Sequence, residues 1–164
     1  MLSQIIIPEA TPARKVKGYK MPETKENLVS WDFVSEQMAQ SRHYWLSTVF
    51  PDHRPHVIPV WGIWLENRFH FEGSLQTAWG KNILQNPHIA VHLPDADKVV
   101  TIEGTAHIIQ DDEIDEETWK VLDSMFQHKY QVDKGSPYIY VQPQRVLAWN
   151  GEGLTTMTRW LFDE

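Results

Sequence analysis

The sequence predicts a mainly β domain with short helices, arranged as a small antiparallel barrel. Three observations predict this. Short runs rich in β-branched and aromatic residues recur from His43 to Phe162, each bounded by turn residues. Helical periodicity appears in only three places, inserted singly rather than alternating strictly with strands as in a doubly wound sheet. One stretch also reads as a hairpin: apolar runs at 57–65 and 69–71 are joined by the polar pair Glu66-Asn67.

In chain order, residues 1–28 show no period and hold five basic residues among prolines, which predicts a loosely ordered arm; the functional alternative is an arm that reaches over a partner subunit. Residues 29–164 form a single domain. Ser30 is placed to cap a helix over 31–41, with Trp31, Val34 and Met38 at helical spacing. The first strand covers 43–50 and turns at Pro51-Asp52-His53-Arg54. In the run that follows, Pro59 cannot donate to a ladder, which calls for a free edge or a bulge there. Trp61 and Trp64 fall on opposite faces if the run stays extended. One face then belongs to a core and the other to a ligand or a second subunit.

Residues 73–86 open with small polar residues and continue as a helix that ends before Pro87, since the residue preceding proline is pushed out of the helical region. Strands at 88–93 and 98–110 follow, joined by Asp95-Ala96-Asp97. A further helix spans 111–130; acids crowd its first turns, as the positive end of the helix dipole favours, and Ile114, Leu122, Met125 and Phe126 form its apolar stripe. Gly135-Ser136-Pro137 breaks it, and strands at 138–149 and 155–162 close the domain.

Composition excludes several classes. No cysteine is present, so disulfides, thiolate metal sites and thiol catalysis are ruled out, and a cytoplasmic location is expected. A formal charge of −7 argues against a nucleic-acid surface. No run reaches the ~20 apolar residues of a membrane span. Histidines pair at His53/His56 and His88/His92 without the carboxylate company of a metal site, so no metal is expected. Neither a phosphate-cradling glycine motif nor a G-x-S-x-G elbow occurs. Eight tryptophans are a heavy load for a domain of this size and point to an aromatic-lined cleft or interface.

Four segments in order, R-P-H-V-I-P-V-W (54–61), T-A-W-G-K-N-I-L-Q-N-P (77–87), V-V-T-I-E-G-T-A (99–106) and P-Q-R-V-L-A-W with T-R-W-L-F near the end, resemble the pyridoxamine 5′-phosphate oxidase-like family of flavin-binding split barrels. The resemblance spans residues 44–162. It implies an FMN-binding split β-barrel of antiparallel, Greek-key type, a homodimer with the cofactor between subunits, and a small-molecule substrate. Trp79 and the T-R-W ending look similar to a branch that uses a deazaflavin cofactor instead.

By the same resemblance, the backbone of Val57, Ile58, Pro59, Val60 and Trp61 lies along the flavin ring, and Gly73, Ser74, Thr77 and Lys81, with Asn82 and Trp79 beside them, hold the phosphate end. The chemistry agrees, because a phosphate takes hydroxyls, backbone amides and a cation, best at a helix start. Where the family commonly places arginine and lysine, this chain has Ala78 and Trp79. Lys81 is either the remaining local cation or a solvated helix lysine. Trp149 and Arg159 are candidates to line the cleft. The implied activity is flavin-dependent oxidation or reduction by hydride transfer at the ring N5, with no side chain needed as acid or base. A non-catalytic carrier or sensor of flavin, deazaflavin or haem on the same barrel is the alternative. No basic cluster for a phosphorylated substrate stands out.

Overall fold

The computed structural model describes residues 4–151 and 153–163, with Asp111 described by its backbone alone. In chain order the elements are β1 (Thr11–Pro12), α1 (Trp31–Gln40), β2 (Tyr44–Val49), β3 (Pro55–Val60), β4 (Ile63–Leu65), β5 (Arg68–Glu72), α2 (Ala78–Gln85), β6 (His88–His92), β7 (Lys98–Ile109), α3 (Glu116–Tyr130), β8 (Tyr138–Asn150) and β9 (Thr158–Leu161). All pairings are antiparallel, in the order β1-β9-β8-β7-β6-β2-β3. The sheet does not close. β8 carries β7 along one edge, while the other edge is shared by β5 against its first half and β9 against its second.

The helix ends follow from local chemistry. The Ser30 hydroxyl accepts from the Phe33 amide at 3.3 Å, Thr77 Oγ1 from the Gly80 amide at 3.1 Å, and Asp115 from the Thr118 amide at 2.9 Å. The acidic stretch ahead of α3 does not extend the helix. It forms a single tight turn at Asp111–Glu113, and α3 begins only after the Asp115 cap.

The hairpin at Glu66-Asn67 is present, with positive φ at both residues (50° and 61°), the geometry that tight two-residue turns demand. The expected single strand over 57–65 is not. It breaks at Trp61-Gly62 into β3, paired with β2, and β4, paired with β5. The reason is tertiary. A side chain at Gly62 would place a Cβ 2.3 Å from the Phe69 ring and 2.6 Å from the His70 carbonyl, so only glycine fits. Pro59 sits in regular register opposite Trp45 on the terminal strand of the order, so the free edge, not a bulge, accommodates it. The bulge lies at Glu103/Gly104 instead.

Trp64, Trp160, Tyr44, Phe69 and Phe71 are buried in the main core with Val34 and Met38 of α1. Leu122, Phe126 and Tyr130 of α3 build a second cluster with Ile63 and Tyr138. Ahead of α1, Ile5, Ala13 and Met21 are buried, and β1 adds to β9. Among the described residues, no helix is long and apolar enough to cross a membrane.

Candidate functional site

A cleft of about 410 Å³ opens beside β3, walled by Ile58, Pro59, Val60 and Trp61 on one side and by Glu72 and Trp79 on the other. Alternation along β3 sets what each residue offers. Ile58 and Val60 pair with Leu46 and Tyr44 and pack toward the main core, whereas Val57 and Pro59 face outward. As the terminal strand of the sheet order, β3 has one edge that pairs with no other strand. That edge presents backbone amide and carbonyl groups with no ladder partner.

The loop from Glu72 to α2 runs along the cleft. Gly73 has φ +142°, a conformation that favours glycine, and a Cβ there would crowd the Trp79 ring at 3.0 Å. Trp79 is buried against Phe71, with ring centroids 5.6 Å apart. Thr77 Oγ1 is occupied: it donates to the Ser74 carbonyl at 2.8 Å and accepts from the Gly80 amide. Ser74 is exposed, and its Oγ accepts from the Gln76 amide at 3.2 Å. The amides of Ala78 and Trp79, at the start of α2, take no partner among the described residues.

Lys81 is exposed and makes no ion pair among the described residues. Asn82 is only 2% exposed and points inward, its Nδ2 donating to Thr48 Oγ1 at 2.9 Å. Glu72 is the cleft's carboxyl group. Burial pushes its pKa up, although its Oε2 accepts from the Gly135 amide.

Trp149 and Arg159 do not line this cleft. The register Pro59–Trp45–His92–Thr101–Leu147–Arg159 puts Arg159 five strands from Pro59 on the same outward face. At ~4.8 Å per strand this is roughly 24 Å along the sheet. Trp149 is on that face too, opposite Val99. A single protomer therefore does not bring Trp149 and Arg159 into the cleft that holds the other candidate residues.

Trp61 was named from the sequence, but the partners that hold it and the cleft's rim, Tyr130 and Lys129, were not. Trp61, half-exposed, stacks on Tyr130. Tyr130 Oη accepts from the Gly62 amide at 3.0 Å and lies 2.7 Å from the Gly62 carbonyl and 2.9 Å from the Arg42 carbonyl. Lys129 Nζ donates to the Gly62 carbonyl at 3.0 Å and to Tyr44 Oη at 2.7 Å. Burial, assisted by the nearby Arg42 charge, lowers the Lys129 pKa to about 8. The contacts with Gly62 span 67 and 68 residues of chain, and those with Tyr44 and Arg42 span 85 and 88; no local pattern announces them. Among the described residues no cluster of ligands suited to a metal ion occurs.

The family model for pyridoxamine 5′-phosphate oxidase matches residues 31–150, and the chain belongs to that family. Comparison with curated proteins finds no significant match. Among solved structures, a conserved hypothetical protein from Mycobacterium tuberculosis is 19% identical with a TM-score of 0.63, over 76% of this chain and 88% of that one. A pyridoxamine 5′-phosphate oxidase-related, FMN-binding protein from Nostoc punctiforme is 17% identical with a TM-score of 0.57, over 84% and 92%. A structure named as an F420 reductase is 21% identical with a TM-score of 0.54, over 68% and 94%. These likenesses establish the split-barrel fold.

Proposed function

We propose that the protein is a flavin-dependent oxidoreductase that holds FMN in the β3 cleft, as a homodimer in which the outward face of the second subunit completes the site. The observation that supports this most is the conjunction of the unpaired β3 edge with the Gly73–Trp79 turn in one cleft. Such an edge supplies donors and acceptors to the polar rim of a flat heterocycle, and the turn ends in two unpartnered amides at a helix start, which suit a phosphate. The residues fit the group. Trp149 and Arg159 do not line the cleft of their own protomer, and in this reading they serve the cleft of the other.

FMN, when bound, supplies hydride exchange at N5. The protein's part is placement and exclusion of water. Ile58, Val60 and Trp79 line the cleft with apolar surface, and the Trp61–Tyr130 stack fixes its rim. Glu72, whose Oε2 accepts the Gly135 amide, is held in place at the cleft wall. A deazaflavin is the alternative cofactor, suggested by Trp79 and the T-R-W ending at 158–160 and supported by the likeness to a structure named as an F420 reductase. A carrier or sensor role suits the same cleft, which contains no acid–base pair in hydrogen-bond contact.

The test is the absorption spectrum of the purified protein, followed by titration with FMN, the deazaflavin F420 and haem. Saturable FMN binding with quenching of tryptophan fluorescence is expected. Saturation by F420 or haem alone would replace the FMN reading, and binding of none of the three would remove the cofactor reading altogether.

A further inference from the structure

We propose that a second cleft, between the C-terminal ends of α1 and α3, binds a small organic anion with an apolar body and one carboxylate. This cleft measures about 550 Å³. Trp61 lines the first cleft and Ile63 the second, with Gly62 between them in the chain.

The wall of the second cleft is apolar, built from Ile63, Trp64 and Met125. Arg42, His128 and Lys129 converge on it, and among the described residues no carboxylate lines it. In a chain of formal charge −7 this is a concentrated exception. The two cations best placed to bind are already oriented. The Arg42 guanidinium carbon lies over the Tyr130 ring, 5.4 Å from its centre, and its five N–H donors include ones available to a carboxylate. Lys129 spends two of an ammonium's three donors on Tyr44 Oη and the Gly62 carbonyl, which leaves one.

An inorganic ion would use the cations but not the wall, and a neutral hydrocarbon would use the wall but not the cations. A medium-chain carboxylate uses both, burying its chain against Trp64 and Met125 while the head group takes charge-assisted hydrogen bonds. This proposal does not depend on the cofactor assigned to the first cleft.

Calorimetric titration of the full chain with octanoate, octanamide and acetate tests it, each with and without added FMN. Octanoate should saturate one site per chain. Octanamide, with the same body but no charge, and acetate, with the head but no body, should each bind at least about tenfold more weakly. Arg42→Ala should weaken octanoate about tenfold and leave octanamide unchanged. Ser124→Glu, at an exposed α3 position lining the cleft, should repel octanoate without disturbing the fold, as checked by circular dichroism. Added FMN should not displace octanoate. Absence of saturable octanoate binding, equal affinity for octanamide, wild-type affinity in both variants, or displacement by FMN would each overturn the proposal.

Discussion

The Trp61 ring lies flat on Tyr130, with centroids 4.9 Å apart and planes 7° from parallel. The stack ties the break between β3 and β4 to the last turn of α3, and the Tyr130 hydroxyl secures it through the Gly62 amide and carbonyl. Tyr130→Phe keeps the ring and removes the hydroxyl, leaving the buried Gly62 amide without a partner. A loss of about 1–3 kcal/mol is expected, the cost of an unsatisfied buried donor. Urea denaturation measures it, and an unchanged midpoint would mean that the hydroxyl does not hold the break.

His70 carries a pH dependence. It is fully buried, its Nε2 donates to the Leu65 carbonyl at 2.9 Å, and its Nδ1 accepts from the Tyr138 hydroxyl, which assigns the neutral tautomer. Burial lowers its pKa to about 4, against 6.5 for the unperturbed group. Between those values the unfolded chain binds the proton and the folded chain does not. Stability is therefore complete above pH 6.5 and falls as the pH drops toward 4, by on the order of 3 kcal/mol at 1.36 kcal/mol per unit. His70→Gln should flatten this slope. Chemical denaturation at pH 7.5 and 5 checks it.

The outward sheet face carries Trp45, Val57 and Leu161 at 37%, 49% and 51% exposure. Apolar side chains spread over β2, β3 and β9 make a face suited to a second copy, and twofold dimers are the commonest assembly. Light scattering at micromolar concentration should give a dimer, and Trp45→Glu with Leu161→Glu should give a folded monomer. A monomeric wild type would remove this prediction and the shared cofactor site with it.

Lys81 is the residue that tests how the proposed phosphate would be held. If it is the local cation, Lys81→Ala should weaken FMN about ten- to a hundredfold, the loss of one charge-assisted bond, and riboflavin much less. Ala78→Arg, at an exposed position, should tighten FMN and change stability by less than ~0.5 kcal/mol. Equal losses for FMN and riboflavin in Lys81→Ala would assign that lysine to the solvated surface.

Local chemistry was legible in the chain itself. Ser30 capping α1, Pro87 ending α2 and Glu66-Asn67 turning β4 into β5 each depend on residues a few positions apart, where spacing and side-chain type are sufficient. The split of 57–65 at Gly62 was not legible, because its cause is Phe69 packed from across the hairpin and Tyr130 arriving from 68 residues away. The inward turn of Asn82 was hidden for the same reason: its partner is Thr48, on a strand before the hairpin. The sequence by itself determined most of the elements, the faces of the strands and the family. Which faces meet, where the two clefts open and which cations gather at the second were decided by the tertiary structure, since close packing and buried hydrogen bonds join residues whose separation in sequence leaves no local trace.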